Sequence, residues 1–186
     1  MSPIEAFLAL LRSWRDRGAV VFDADEVAAP HAAVTAFDLG AFGATAEALR
    51  TDSALVGDTL RRVAGVRAEV PLSWTGTGAD ALVGASTRIL DDLAPAAEAL
   101  AIHARMMSAA HLILGEVIDD YRSAMTEAAE PLAVTMSTGE ARTELGARLD
   151  LVHAAGTAAS RAVNDGIGVL HRGWRSPGEL VLAGER

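Results

Sequence analysis

The chain has 186 residues, 51% of them apolar but only 4% aromatic, and its 16 basic and 25 acidic residues give a formal charge of −9. Its length suits one compact domain with a sizeable core. The acidic balance argues against nucleic acid, whose binding rests on cationic neutralisation of phosphates, and against an anionic membrane surface. With no Cys, disulfides, thiolate zinc sites and Cys nucleophiles are excluded. Every basic residue is Arg; together with abundant Ala, this fits coding in a GC-rich genome such as an actinobacterial one.

Ser2 and Glu5 form a capping-box pair, Pro3 suits a first helical position, and Ile4, Phe7, Leu8, Leu11 and Trp14 share a face. The pattern predicts a helix over 3–16, ended by Gly18. No basic stretch precedes its apolar face and Glu5 lies within it, so it reads as an ordinary amphipathic helix, not a signal peptide. Residues 19–37 read as a packed connector. Val20, Val21 and Phe22 suit extended backbone, and Asp23 suits the cap of a short helix whose length Pro30 limits.

From Asp38, a plausible N-cap, the pattern strengthens. Phe42, Leu49, Val56, Val63 and Val70 recur every seven residues, with Ala46 and Leu60 beside them. This is the narrow seam of a long helix packed in coiled-coil fashion, closed by Pro71. A polar break, Pro71-Leu72-Ser73-Trp74-Thr75-Gly76-Thr77-Gly78, follows. Thr77 as cap and Asp80 in the first turn open a second long helix. Leu93, Leu100, Met107, Leu114 and Tyr121 form its stripe, flanked by Leu82, Ile89, Ala97, Ala104, Ile118, Met125 and Leu132. Pro95 predicts a kink near 91–95 rather than a break, because the stripe resumes in phase beyond it. Pro131 stops the helix.

Ser137 and Glu140 form another capping-box pair, opening a third long helix. Leu145, Leu149, Val152, Gly156, Ala159, Val163 and Leu170 alternate three and four apart. Gly156, Gly166 and Gly168 lower its intrinsic helicity but permit close approach of a neighbour. The tail 173–186 reads as loop or disorder. Strand signals are nearly absent, so the expected fold is all-α: a long antiparallel helical hairpin with additional N- and C-terminal helices in a bundle. The expected segments are 1–37, 38–130, 131–172 and the tail, within one compact domain.

Chemistry-bearing patterns are sparse. Asp150 and His153 share a helix face at carboxylate-x-x-His spacing, but a bundle metal centre needs a second such pair and two more inward carboxylates. His103 and His111 are poorly placed around their helix to share one ion. Gly166-Ile167-Gly168 follows a helix instead of a strand, and Gly84-Ala85-Ser86 lacks the second Gly of a nucleophile elbow. Glu116, Asp119 and Asp120 read as a solvated face, and Met106, Met107 and Met125 as core filler. The expectation is no catalytic residue, no metal and no cofactor.

The tripeptide Trp74-Thr75-Gly76 at the tip of a helical hairpin resembles the WxG superfamily, small helical proteins exported by type VII secretion systems. The resemblance spans 38–130. It implies two antiparallel helices joined at a tight loop holding Trp74 and Gly76, and pairing with a second hairpin into a four-helix bundle. It further implies a helical protein partner, as homo- or heterodimer, and contact with a secretion ATPase or chaperone. Export would follow a route that reads no classical signal, leaving the protein secreted or at the cell surface. Two features depart from the family. The chain extends well beyond both ends of the hairpin, and its single Tyr, Tyr121, is followed four residues later by Met125 where the family's export signal has an acidic residue. A cytoplasmic chaperone, immunity or regulatory protein that shields a partner is the alternative. A ligand-binding or enzymatic bundle would need convergent polar groups, which the stripes do not supply. The expected partner interface is Met107, Leu114, Ile118, Tyr121 and Met125, with no nucleic acid and no membrane insertion.

Overall fold

A computed structural model of the chain describes residues 2–175. It is all-α: α1 (Pro3–Arg15), α2 (Ala24–Ala28), a 3-10 turn (Ala29–His31), α3 (Ala32–Ala36), α4 (Leu39–Ser73), α5 (Thr77–Ala128) and α6 (Thr138–Arg175), with no strand among the described residues. The described residues gather into two compact units. One comprises 2–39 and 112–169, the other 40–111 and 170–175.

In the first unit, α1 begins as its capping box requires. The Ser2 N–H donates to Glu5 Oε2 (2.6 Å) and the Glu5 N–H donates to Ser2 Oγ (3.4 Å). The helix buries Ile4, Phe7, Leu8, Leu11 and Trp14 in one cluster with Ile118, Tyr121, Met125 and Ala128 of α5 and Ala141, Leu145, Val152 and Ala159 of α6. Each large side chain taken fully out of water contributes about 1.5–3 kcal/mol, so this cluster dominates the unit's stability. Gly18 leaves α1 at φ +75°, a conformation open to glycine. Arg142 of α6 secures this exit, its Nε donating to Ala19 O and its Nη2 to Gly18 O, both at 3.3 Å.

The connector holds more helix than its sequence suggests. Asp23 caps α2 by accepting from the Asp25 N–H (2.8 Å), and Pro30 falls in the 3-10 turn, where a missing donor costs little. Farther on, Ser137 and Glu140 open α6 through reciprocal bonds of 2.9 and 3.3 Å. Arg148 reaches back from α6 to the end of α5. Its Nη1 donates to Ala128 O (3.0 Å) and Glu130 O (2.6 Å), satisfying carbonyls that have no intrahelical donor, while its Nε pairs with Glu144 (2.8 Å).

The second unit contains most of α4, the first part of α5 and the end of α6. Pro71 does not close α4; the helix runs on to Ser73, and the Trp74 N–H donates to Val70 O (2.9 Å), closing a further turn past the proline. Pro95, as the in-phase stripe predicts, does not break α5, which is helical throughout. Thr77 is already helical, so the cap position falls to Gly76, whose carbonyl accepts from the Asp80 N–H (3.1 Å). At the far end, residues 173–175, expected as loop, continue α6. The remainder of the expected tail, 176–186, lies outside the described residues.

Candidate interaction surface

The α4–α5 connection is three residues long: Trp74, Thr75 and Gly76. Two glycines shape it differently. Gly76 adopts φ +101°, a conformation that strains any residue bearing a Cβ, although space around it is open. Gly78 lies under the Trp74 ring, and a Cβ there would stand 2.9 Å from Trp74 Cζ2. The indole therefore rests on the first turn of α5 and remains 51% exposed. Gly76 enables the turn by its backbone freedom, whereas the close approach of the Trp74 ring falls on Gly78.

Along the hairpin, the seven-residue seam of α4 is only half-buried at Phe42, Leu49, Val56, Leu60, Val63 and Val70, and fully buried at Ala46. On α5 the buried positions of this unit are Ala79, Ser86, Ala104 and Met107, mostly small residues. Several larger apolar groups face outward. Leu82, Ile89 and Leu93 lie seven and four residues apart, on one face of α5, with Ile89 44% and Leu93 49% exposed. On α4, Leu55 and Val66 are exposed eleven residues apart, again on one face. The charged residues nearby pair within their own helix, Glu47 with Arg50 and Asp58 with Arg61. Such exposed pairs add little stability, so they do not offset the open apolar stripes.

Two ring contacts hold the end of this unit away from the tip. His111 packs on the Gly43 backbone, where a Cβ would stand 2.5 Å from its Nε2, and its ring lies 6.3 Å from that of Phe42. His103 stacks on Trp174, centroids 4.9 Å apart and planes 11° apart, and its Nε2 donates to Gly173 O at 3.3 Å. The two histidines thus serve separate packing contacts.

The expected partner stretch requires correction. Met107, Leu114, Ile118, Tyr121 and Met125 are all buried within the chain. Ile118, Tyr121 and Met125 belong to the core shared with α1 and α6, and Leu114 packs 3.4 Å from where a Cβ on Gly166 would stand. From Leu114 to Met125 the chain's own added helices cover that stripe, which the isolated pattern of α5 had left open. The exposed large apolar residues of α5 are Leu82, Ile89 and Leu93 nearer the tip and Leu112 and Ile113 farther along the helix.

Asp150 and His153 line a shallow pocket of ≈ 260 Å³ with Asp23 and Glu26. Among the described residues no group of three or more His, Asp and Glu side chains is placed to hold a metal ion, and no helix is long and apolar enough to cross a membrane. No protein-family model, curated protein or solved structure matches the chain.

Proposed function

We propose that this is a non-enzymatic helical interaction protein that pairs through its α4–α5 hairpin with a second helical protein, in the manner of the WxG proteins its tip resembles. One observation carries this reading: several of the hairpin's large apolar side chains lie exposed in stripes, while the residues it buries fully are mainly small. A soluble monomer rarely keeps contiguous apolar surface without a use for it, and an amphipathic helix laid along these stripes would bury it. The partner is accordingly a helix or helical hairpin with its own exposed Leu/Ile/Val stripe. Delivery through a type VII secretion system, with the chain as a module of a larger effector, is the cellular role this pairing would serve.

A cytoplasmic chaperone, immunity or regulatory role is the second reading, favoured by Tyr121. This residue is buried and bonded to His31, with Met125 four positions on, so it is not displayed as an export signal. Light scattering and co-purification with products of adjacent genes test the pairing. Ile89→Glu and Leu93→Glu are expected to abolish association while leaving the helical content intact. A wild type that stays monomeric at high concentration and binds no adjacent gene product would overturn the proposal. Fractionation of culture filtrate from cell pellet separates the two cellular roles.

A further inference from the structure

In the first unit, one histidine is enclosed without its full complement of hydrogen bonds. His31 ends the 3-10 turn and is 1% exposed. Its Nδ1 shares a 2.9 Å hydrogen bond with the Tyr121 hydroxyl, and its Nε2 has no hydrogen-bond partner. The ring is pressed onto α6 at Gly156, where a Cβ would stand 2.5 Å from Cε1 and 2.7 Å from both ring nitrogens. The backbone on either side is tied to the same helix. Ser160 Oγ donates to Pro30 O (2.7 Å) and accepts from the Val34 N–H (3.4 Å). Besides these bonds the stretch is held by the buried Val34 and by Ala24 and Val27, which pack part-buried against the core, while α2 itself fully buries no residue.

A neutral imidazole suits this enclosure, because one ring nitrogen bonds to Tyr121 and only the other goes unmet. An imidazolium does not, since it adds a charge and a second obligatory donor in a place with no acceptor for Nε2. The surroundings supply no compensation. From α5 the facing group is the Tyr121 hydroxyl, which burial keeps protonated by raising its pKa. From α6 it is His153, whose electrostatic influence further disfavours a charged His31 ring. Asp23, Glu26 and Asp150 line the pocket beside His153, but no carboxylate is among the influences on His31, whose pKa is lowered by burial first and by His153 second.

We propose that His31 is an acid-sensitive latch: while neutral it locks residues 24–36 onto α5 and α6 of the first unit, and its protonation releases that segment. Release would uncover Tyr121, Gly156 and Ser160 on the face opened by the departing turn. The direction follows from linkage. The unfolded ring protonates near ~6.5 and the enclosed ring only at lower pH, so the closed form is fully stable above that value. It weakens as pH falls from there towards the folded value.

The test is amide hydrogen exchange of the wild-type chain between pH 7.5 and 5.0, expressed as protection factors, alongside His31→Gln. Protection in 24–36 should fall about tenfold for each unit by which the folded pKa lies below the unfolded one. Protection in α1 should hold, and His31→Gln should abolish the pH dependence. If that variant does not fold, the wild-type His31 ring titration by NMR decides the question. A ring midpoint below ~6.5 that coincides with loss of protection in 24–36 supports the latch. A ring that titrates while the segment stays protected, a flat protection profile, or an unchanged slope in a folded His31→Gln protein would each overturn it.

Discussion

The two units solve the same packing problem with different materials. In the first, Phe7, Leu11, Met125 and Leu145 are fully enclosed, three helices share one core, and Arg142 and Arg148 tie off the helix ends. In the second, the interior is chiefly Ala and Ser, and Leu55, Ile89 and Leu93 face solvent. Both units are built from long helices of similar composition. Burial concentrates where a third helix closes the open side of a pair, and the unit lacking such a core leaves more of its large apolar side chains in water.

Truncating the core should break this contrast most clearly. Met125→Ala or Leu145→Ala is expected to cost about 3–4 kcal/mol in chemical denaturation, since both sites are enclosed and cannot collapse without loss. The matching change in the hairpin, Leu93→Ala, should cost under about 1 kcal/mol in the monomer yet weaken partner binding. Arg148→Ala removes charge-assisted bonds to two carbonyls at the end of α5 and should cost about 2 kcal/mol. A similar loss, about 1–3 kcal/mol, is expected for Gly156→Ala, which drives a methyl group into the enclosed His31 ring. Gly43→Ala meets His111 as closely, but that ring is only part-buried and can swing aside. If the two glycine variants lost equal stability, the contrast in rigidity between the units would fail. Trp74→Ala should cost about 1–2 kcal/mol, less than a buried indole would, because half of the ring is already in water. Thermal melts of these variants beside wild type supply the ranking.

The heptad steps of α4 and α5 and the capping boxes at Ser2–Glu5 and Ser137–Glu140 were legible from spacing, because helix periodicity and N-capping are local properties. The break at residues 74–76 was legible for the same reason. Pro71 was over-read: it forfeits one hydrogen bond, but the surrounding helical residues keep enough others for α4 to continue to Ser73, whereas α5 passes Pro95 without a break, as its in-phase stripe predicts. The interface stretch on α5 was misplaced because a stripe announces only that it will be covered, not by what. Met125 and Leu114 look the same in sequence whether a partner, α1 or α6 lies against them.

Sequence by itself determined the all-α class, the capped starts of α1, α2 and α6 and the turn between α4 and α5, since each depends on residues within a few positions of one another. Tertiary structure alone decided which stripes are closed and which stay open. It also decided that aromatic and imidazole rings settle on glycine backbone, His31 on Gly156, His111 on Gly43 and Trp74 on Gly78. The first two pairs join residues far apart in the chain, and the third depends on how the chain turns at Gly76. No periodicity marks them, because a glycine's missing side chain acquires meaning only when the fold brings a ring against it.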